Sequence, residues 1–248
     1  MPYRRLPTTD KAILRALEAA LAVGKTTIQQ NLAYQYNSLL DLQTIHAEFS
    51  AAYVKLNRAK ADQYSKSKSY NLLFNKARLF VSHFLQVLNM SIAREELKPE
   101  VRALFELEEG EKSLPSLLKE EEVLLWGQRV IDGEARRLSQ GGIAQQNPSA
   151  AMLRVYVEQL DSAYRQRKKL QRQTEEAAAV VNGIRDKANE VVLQVWNQVE
   201  KKFEHLPEEK RRQEASRYGV VYIYRPSERK RLLAMKNQLK IEFPSDDE

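Results

Sequence analysis

Residues 175–206, EEAAAVVNGIRDKANEVVLQVWNQVEKKFEHL, place Val181, Ile184, Ala188, Val191, Val195, Val199 and Phe203 three or four positions apart. That spacing puts seven apolar side chains on one face of a helix, with charged and amide residues on the other. A helix with one such face must bury it against another element, and the rest of the chain repeats the pattern.

Upstream, Leu153, Tyr156, Leu160, Ala163 and Tyr164 form a fifth helical face that leads into the basic residues 165–172. No Gly or Pro marks a turn near residue 173, so the fifth and sixth helices are either separate or one. Asn147-Pro148 reads as an N-cap followed by proline in the first turn. A fourth helix, opened by Ser113 or Ser116 with Pro115, runs through Leu117, Leu124, Ile131 and Leu138 and stops at Gly141-Gly142. Nearer the N-terminus, Thr8, Thr9 or Asp10 caps a helix whose Ile13, Leu17, Ala20 and Leu21 share a face, and Gly24 suits its stop. A second helix over 33–62, a turn at 63–69 (QYSKSKS) and a third helix through Leu73, Phe80, Phe84 and Leu88 follow, before Pro99 breaks the pattern.

These faces predict an all-α fold, an antiparallel helical bundle of two helix pairs, with residues 1–112 as an N-terminal half and 113–248 as a C-terminal half, or one continuous bundle. Leu85-Gln-Val-Leu-Asn89 reappears as Leu193-Gln-Val-Trp-Asn197, with Ala52-Tyr53 and Ala163-Tyr164 upstream. Internal duplication would account for the match, and so would chance in a helix-biased sequence.

Composition agrees. Of 248 residues only 8 are Gly and 8 Pro, which disfavours turn-rich all-β designs, and the absence of Cys removes disulfides, thiolate nucleophiles and cysteine metal sites. Forty basic against 33 acidic residues give a net charge of +7. Ten acidic and four basic residues fall within 95–122, so the remainder is more basic than the total suggests. The longest uncharged stretches, 26–40 and 79–93, are 15 residues each, below the ~20 a bilayer span requires. With no export signal legible, the expectation is a cytoplasmic protein that no membrane holds.

Residues 19–27, AALAVGKTT, satisfy a loose phosphate-loop pattern, but the residues before Gly24 continue a helix and their N–H groups are already bonded. The three positions preceding each of His46, His83 and His205 offer no Glu-x-x-His motif, and no nucleophile elbow is present. No catalytic, cofactor-binding or metal-ligating residue is therefore assigned, and no cofactor is expected.

The C-terminal part departs from helix. Residues 218–224, YGVVYIY, are β-branched and aromatic, and predict a short strand over 219–225 whose partner is residues 3–6, residues 241–243 or a second chain. If Val221 and Ile223 face inward, Tyr222 and Tyr224 face outward beside Arg225, Arg229, Lys230 and Arg231, and those six residues form a candidate interaction surface.

The opening MPYRRLPTTD, the Leu85-Gln-Val-Leu-Asn89 segment, Trp126-Gly127 with Gly133-Glu134, Gly141-Gly142 with Asn147-Pro148, and Tyr218-Gly-Val-Val-Tyr222 resemble a family of uncharacterised helical proteins from Bacteroidota. The resemblance implies a bacterial, cytoplasmic setting and brings no activity, cofactor or site residue. The expected function is a non-catalytic scaffold or interaction module that binds a protein partner or self-associates. Nucleic-acid binding through a basic C-terminal surface is the alternative, and an enzyme with an unrecognised site the second.

Overall fold

The computed structural model describes residues 3–108, 113–228 and 230. Thr9 opens the first helix: its hydroxyl accepts the Ala12 N–H at 3.2 Å, and α1 (Asp10–Thr26) follows, burying Ile13, Ala16, Leu17, Ala20 and Leu21. Gly24 does not stop it. The helix passes through Gly24 to a cap at Thr27, and glycine is required because a Cβ there would lie 2.4 Å from the Tyr34 hydroxyl. With residues 19–26 helical, no phosphate-cradling nest forms.

A 3-10 turn (Gln29–Asn31) leads to α2 (Tyr36–Ala93), a single helix of 58 residues. The turn expected at 63–69 is absent. That stretch is rich in Ser but holds neither Gly nor Pro, and its hydroxyls bond back onto the helix: Ser65 Oγ donates to the Asp62 carbonyl at 2.9 Å and Ser69 Oγ to that of Lys66 at 3.1 Å. After the single turn α3 (Val101–Leu104), α4 (Glu120–Ser139) begins later than Ser113 or Ser116. Its start is set by Glu122, which accepts the Leu118 and Lys119 N–H groups at 2.9 and 3.1 Å. Gly141, at φ +87°, ends it as expected.

Next comes α5 (Ala150–Lys202), 53 residues without a break, so the fifth and sixth helices are one. Ser149, not Asn147, caps it, its Oγ accepting the Met152 N–H at 3.2 Å. The predicted stripe is buried at Val181, Ala188, Val195 and Val199, with Trp196 added to it. A short α6 (Glu208–Arg217), which apolar periodicity does not mark, precedes the only strand pair among the described residues. There β1 (Tyr3–Arg4) runs antiparallel to β2 (Tyr222–Ile223), Tyr3 opposite Ile223 and Arg4 opposite Tyr222. Of the candidate partners for the strand, the N-terminal residues supply the pairing seen among the described residues, while residues 241–243 lie outside them. The fold is thus all-α with a small β element near the C-terminus.

The chain divides into two compact units, Met1–Asn57 with Ala177–Glu248, and Arg58–Glu176. The division falls inside α2 and α5, each of which runs through both units.

In the first unit Tyr34 meets Tyr218 edge-on, 5.9 Å between ring centroids, and its hydroxyl donates to the Ala20 carbonyl at 2.8 Å. Burial pushes the Tyr34 phenol up to about 12. In the second unit α2 and α5 are antiparallel, Tyr70 lying beside Arg167 and Phe80 stacking on Tyr156. Phe84, Phe105, Val130, Leu153 and Leu160 are fully buried in its core. No helix among the described residues is long and apolar enough to cross a membrane.

Candidate functional site: a basic cleft in the second unit

Because residues 63–69 stay helical, α2 and α5 bring two basic segments to one end of the second unit. Residues 58–72 hold four basic residues and one acidic, and residues 163–172 hold five basic and none acidic. Between them lies an open cleft of about 410 Å³. Lys60, Lys66 and Arg167 line it with positive charge, while Leu73, Ala163 and Leu170 supply an apolar floor.

Two tyrosines complete it. Tyr64 is 84% exposed, a ring left in solvent, whereas Tyr70 is 95% buried, at 5% exposure. The Tyr70 hydroxyl makes no hydrogen bond, and buried polar groups without partners are uncommon. Desolvation raises the Tyr70 pKa, an effect the adjacent Arg167 guanidinium opposes. That guanidinium lies 4.6 Å from the Tyr70 ring centroid and pairs with Glu120.

Part of the positive charge is answered locally. Glu120 holds Arg167, Arg165 pairs with Asp161, and Glu121 accepts the Tyr164 hydroxyl. The Tyr164 bond raises the phenol and, from the other side, holds the Glu121 carboxyl below its ordinary value. Lys60 and Lys66 have no ion pair among the described residues. They are the cations the cleft offers to a ligand.

The C-terminal surface is placed differently from the expectation. Val220 is buried and Val221 half exposed, so the strand presents the opposite face to the core from the one assumed. Tyr222 is half-buried, and its hydroxyl donates to Glu200 Oε1 at 2.6 Å, while Arg4 Nη1 reaches Glu200 Oε2 at 2.7 Å. The ring and its hydroxyl therefore anchor the strand pair to α5. Tyr224 is half-buried, and Arg225 and Lys230 are exposed; Arg229 and Arg231 lie outside the described residues. Among the described residues no group of three or more His, Asp or Glu side chains could hold a metal ion.

The sequence marks the basic run at 165–172, but QYSKSKS reads as a turn, so the meeting of the two segments follows only from the unbroken α2. A usable signal was present: neither segment contains a helix breaker. Comparison with family models, curated proteins and solved structures finds no match to this chain.

Proposed function

We propose that the protein is a non-catalytic interaction module that takes a polyanion, single-stranded nucleic acid first, on the basic end of its second unit. The observation that supports this reading is the facing pair of basic segments around a cleft that also carries an exposed ring. Proteins that hold single strands combine a cationic track for the backbone with aromatic faces on which bases stack, and Tyr64 beside Lys60 and Lys66 supplies both. This reading keeps the expected interaction role and moves the anion-binding surface from the C-terminal strand to α2 and α5.

Fluorescence anisotropy with a labelled single-stranded oligonucleotide tests it. Affinity should fall about tenfold or more between roughly 50 and 200 mM salt, as counterions released from several phosphates require. Lys60→Glu with Lys66→Glu should abolish binding, Tyr64→Ala should weaken it without changing the salt slope, and Arg229→Glu with Arg231→Glu should leave it intact. No binding at low salt defeats the proposal, and loss of binding in the Arg229 and Arg231 variant alone returns the surface to the C-terminal segment. Equal affinity for poly-glutamate would make the partner an acidic protein instead.

A further inference from the structure

Three carboxylates open α4, and each has a different partner. Glu122 accepts the Leu118 and Lys119 N–H groups, so the helix start rests on it. Glu121 accepts the Tyr164 hydroxyl, and Glu120 pairs with the Arg167 guanidinium. Neither of those two bonds caps the helix. Both set negative charge from the first turn of α4 against the basic run of α5, and Arg167 is the cation of that run that lines the cleft.

Packing does not call for an arginine at 167. Burial along α5 follows burial along α2 in the register that sets Ala163-Tyr164 on Ala52-Tyr53: Phe84, Leu85 and Leu88 then correspond to Val195, Trp196 and Val199, all buried. In the same register Arg167 corresponds to Leu56, which is 3% exposed, and Tyr70 to Val181, which is fully buried. The first unit thus holds apolar side chains at the two positions where the second holds a guanidinium and a phenol. The Tyr70 ring, its centroid 4.6 Å from the guanidinium, seats Arg167 through a contact that involves no atom of Glu120.

The Glu120–Arg167 pair is one that a ligand can replace. Its arginine and glutamate side chains are 48% and 30% exposed, and ion pairs so open to water contribute little to folding. A carboxylate and a phosphodiester present the same feature to a guanidinium, two oxygens sharing one negative charge, which the planar fork can take side by side. We propose that Glu120 stands in for one phosphate of the bound strand: it occupies Arg167 until a phosphodiester takes its place, so the chain's own acidic turn competes for the cleft. The exchange rests on the polyanion reading of the cleft, and it names both the residue that grips the phosphate and the residue that limits how tightly.

The labelled single-stranded oligonucleotide and the full-length protein decide it. Glu120→Gln should bind about two- to fivefold more tightly, the range that a partly exposed ion pair is worth, and its salt slope should steepen by about 0.7, the release expected of one further phosphate contact. Arg167→Gln should bind more weakly, and Glu120→Gln added to it should bring no gain, because the competitor then has nothing to hold. Unfolding of Glu120→Gln should match that of the parent protein, since Glu122 still caps the helix. If the parent protein binds and Glu120→Gln shows the same affinity and slope, or if the gain persists without Arg167, the competition is overturned and the polyanion reading stands. If neither protein binds even at low salt, the polyanion reading itself fails and takes the Glu120 exchange with it.

Discussion

Glu134 and Arg137, one turn apart on α4, form a two-pronged ion pair inside the second unit. Arg137 Nε donates to Glu134 Oε2 and Nη2 to Oε1, both at 2.8 Å, with the side chains 2% and 7% exposed. Glu134 Oε1 also accepts the Gln145 N–H at 2.9 Å, and Arg137 donates to the Ile143 carbonyl, so the pair ties α4 to the loop that leads into α5. Removing one partner leaves the other charge buried and alone, which weakens a fold by about 3–5 kcal/mol. Glu134→Gln or Arg137→Met should each lower the unfolding free energy measured in urea by that order, while Glu134→Leu with Arg137→Met should recover much of the loss.

Two helical glycines should respond to alanine with opposite signs. A Cβ at Gly133 would sit 2.4 Å from Phe105 Cδ1 and 2.9 Å from the Leu104 carbonyl oxygen, atoms that belong to core and backbone. Gly133→Ala should destabilise by about 1–3 kcal/mol. At Gly183, exposed on α5, nothing lies within 4 Å, so Gly183→Ala should stabilise by about 0.5–1 kcal/mol through helix propensity alone. Thermal unfolding of both variants reads the difference.

The continuity of α2 has its own test. Proline at position 65 would remove a helical N–H and press its ring on the carbonyl one turn back, so Ser65→Pro should weaken the protein by about 3 kcal/mol or more and lower its far-ultraviolet helical signal. A turn at 63–69 would tolerate the same substitution, and unchanged stability would place one there.

Apolar periodicity carries the helical faces: four of the seven stripe positions over 181–203 and all four named positions of α1 are buried, because burial acts on spacing. Helix ends are less legible. Gly24 resembled a stop but is small for the sake of Tyr34, a contact 10 positions away that no local rule contains. The Ser-rich 63–69 resembled a connection because Ser favours turns, yet its hydroxyls bond equally well to helix carbonyls. The strand at 218–224 turns inward the face opposite to the one its alternation suggests, with Val220 buried and Tyr222 bonded to Glu200, a partner more than 20 positions away that alternation does not contain. The cleft depended on pairing two long helices, which spacing within either one cannot reveal.

Alkaline pH should loosen the first unit in a defined window. The Tyr34 phenol ionises near 10 in the unfolded chain and near 12 when folded, so its neutral form is favoured by folding. That contribution is intact below pH 10 and is lost as pH rises from about 10 toward 12, because only the unfolded state sheds the proton there. Tyr34→Phe should lower stability at neutral pH by about 1 kcal/mol through loss of the bond to Ala20 and flatten the decline over that window, as measured by urea unfolding at a series of pH values.

The division of the chain sets an order of events at the ribosome. All of Arg58–Glu176 emerges before the first residue of Ala177–Glu248, so the middle unit can close its core on the nascent chain. The first 57 residues, made earliest, must wait for residues 177 onward before their unit is complete, and until then Ile13, Leu42 and Phe49, all buried in the folded unit, lack half of the chain that builds it.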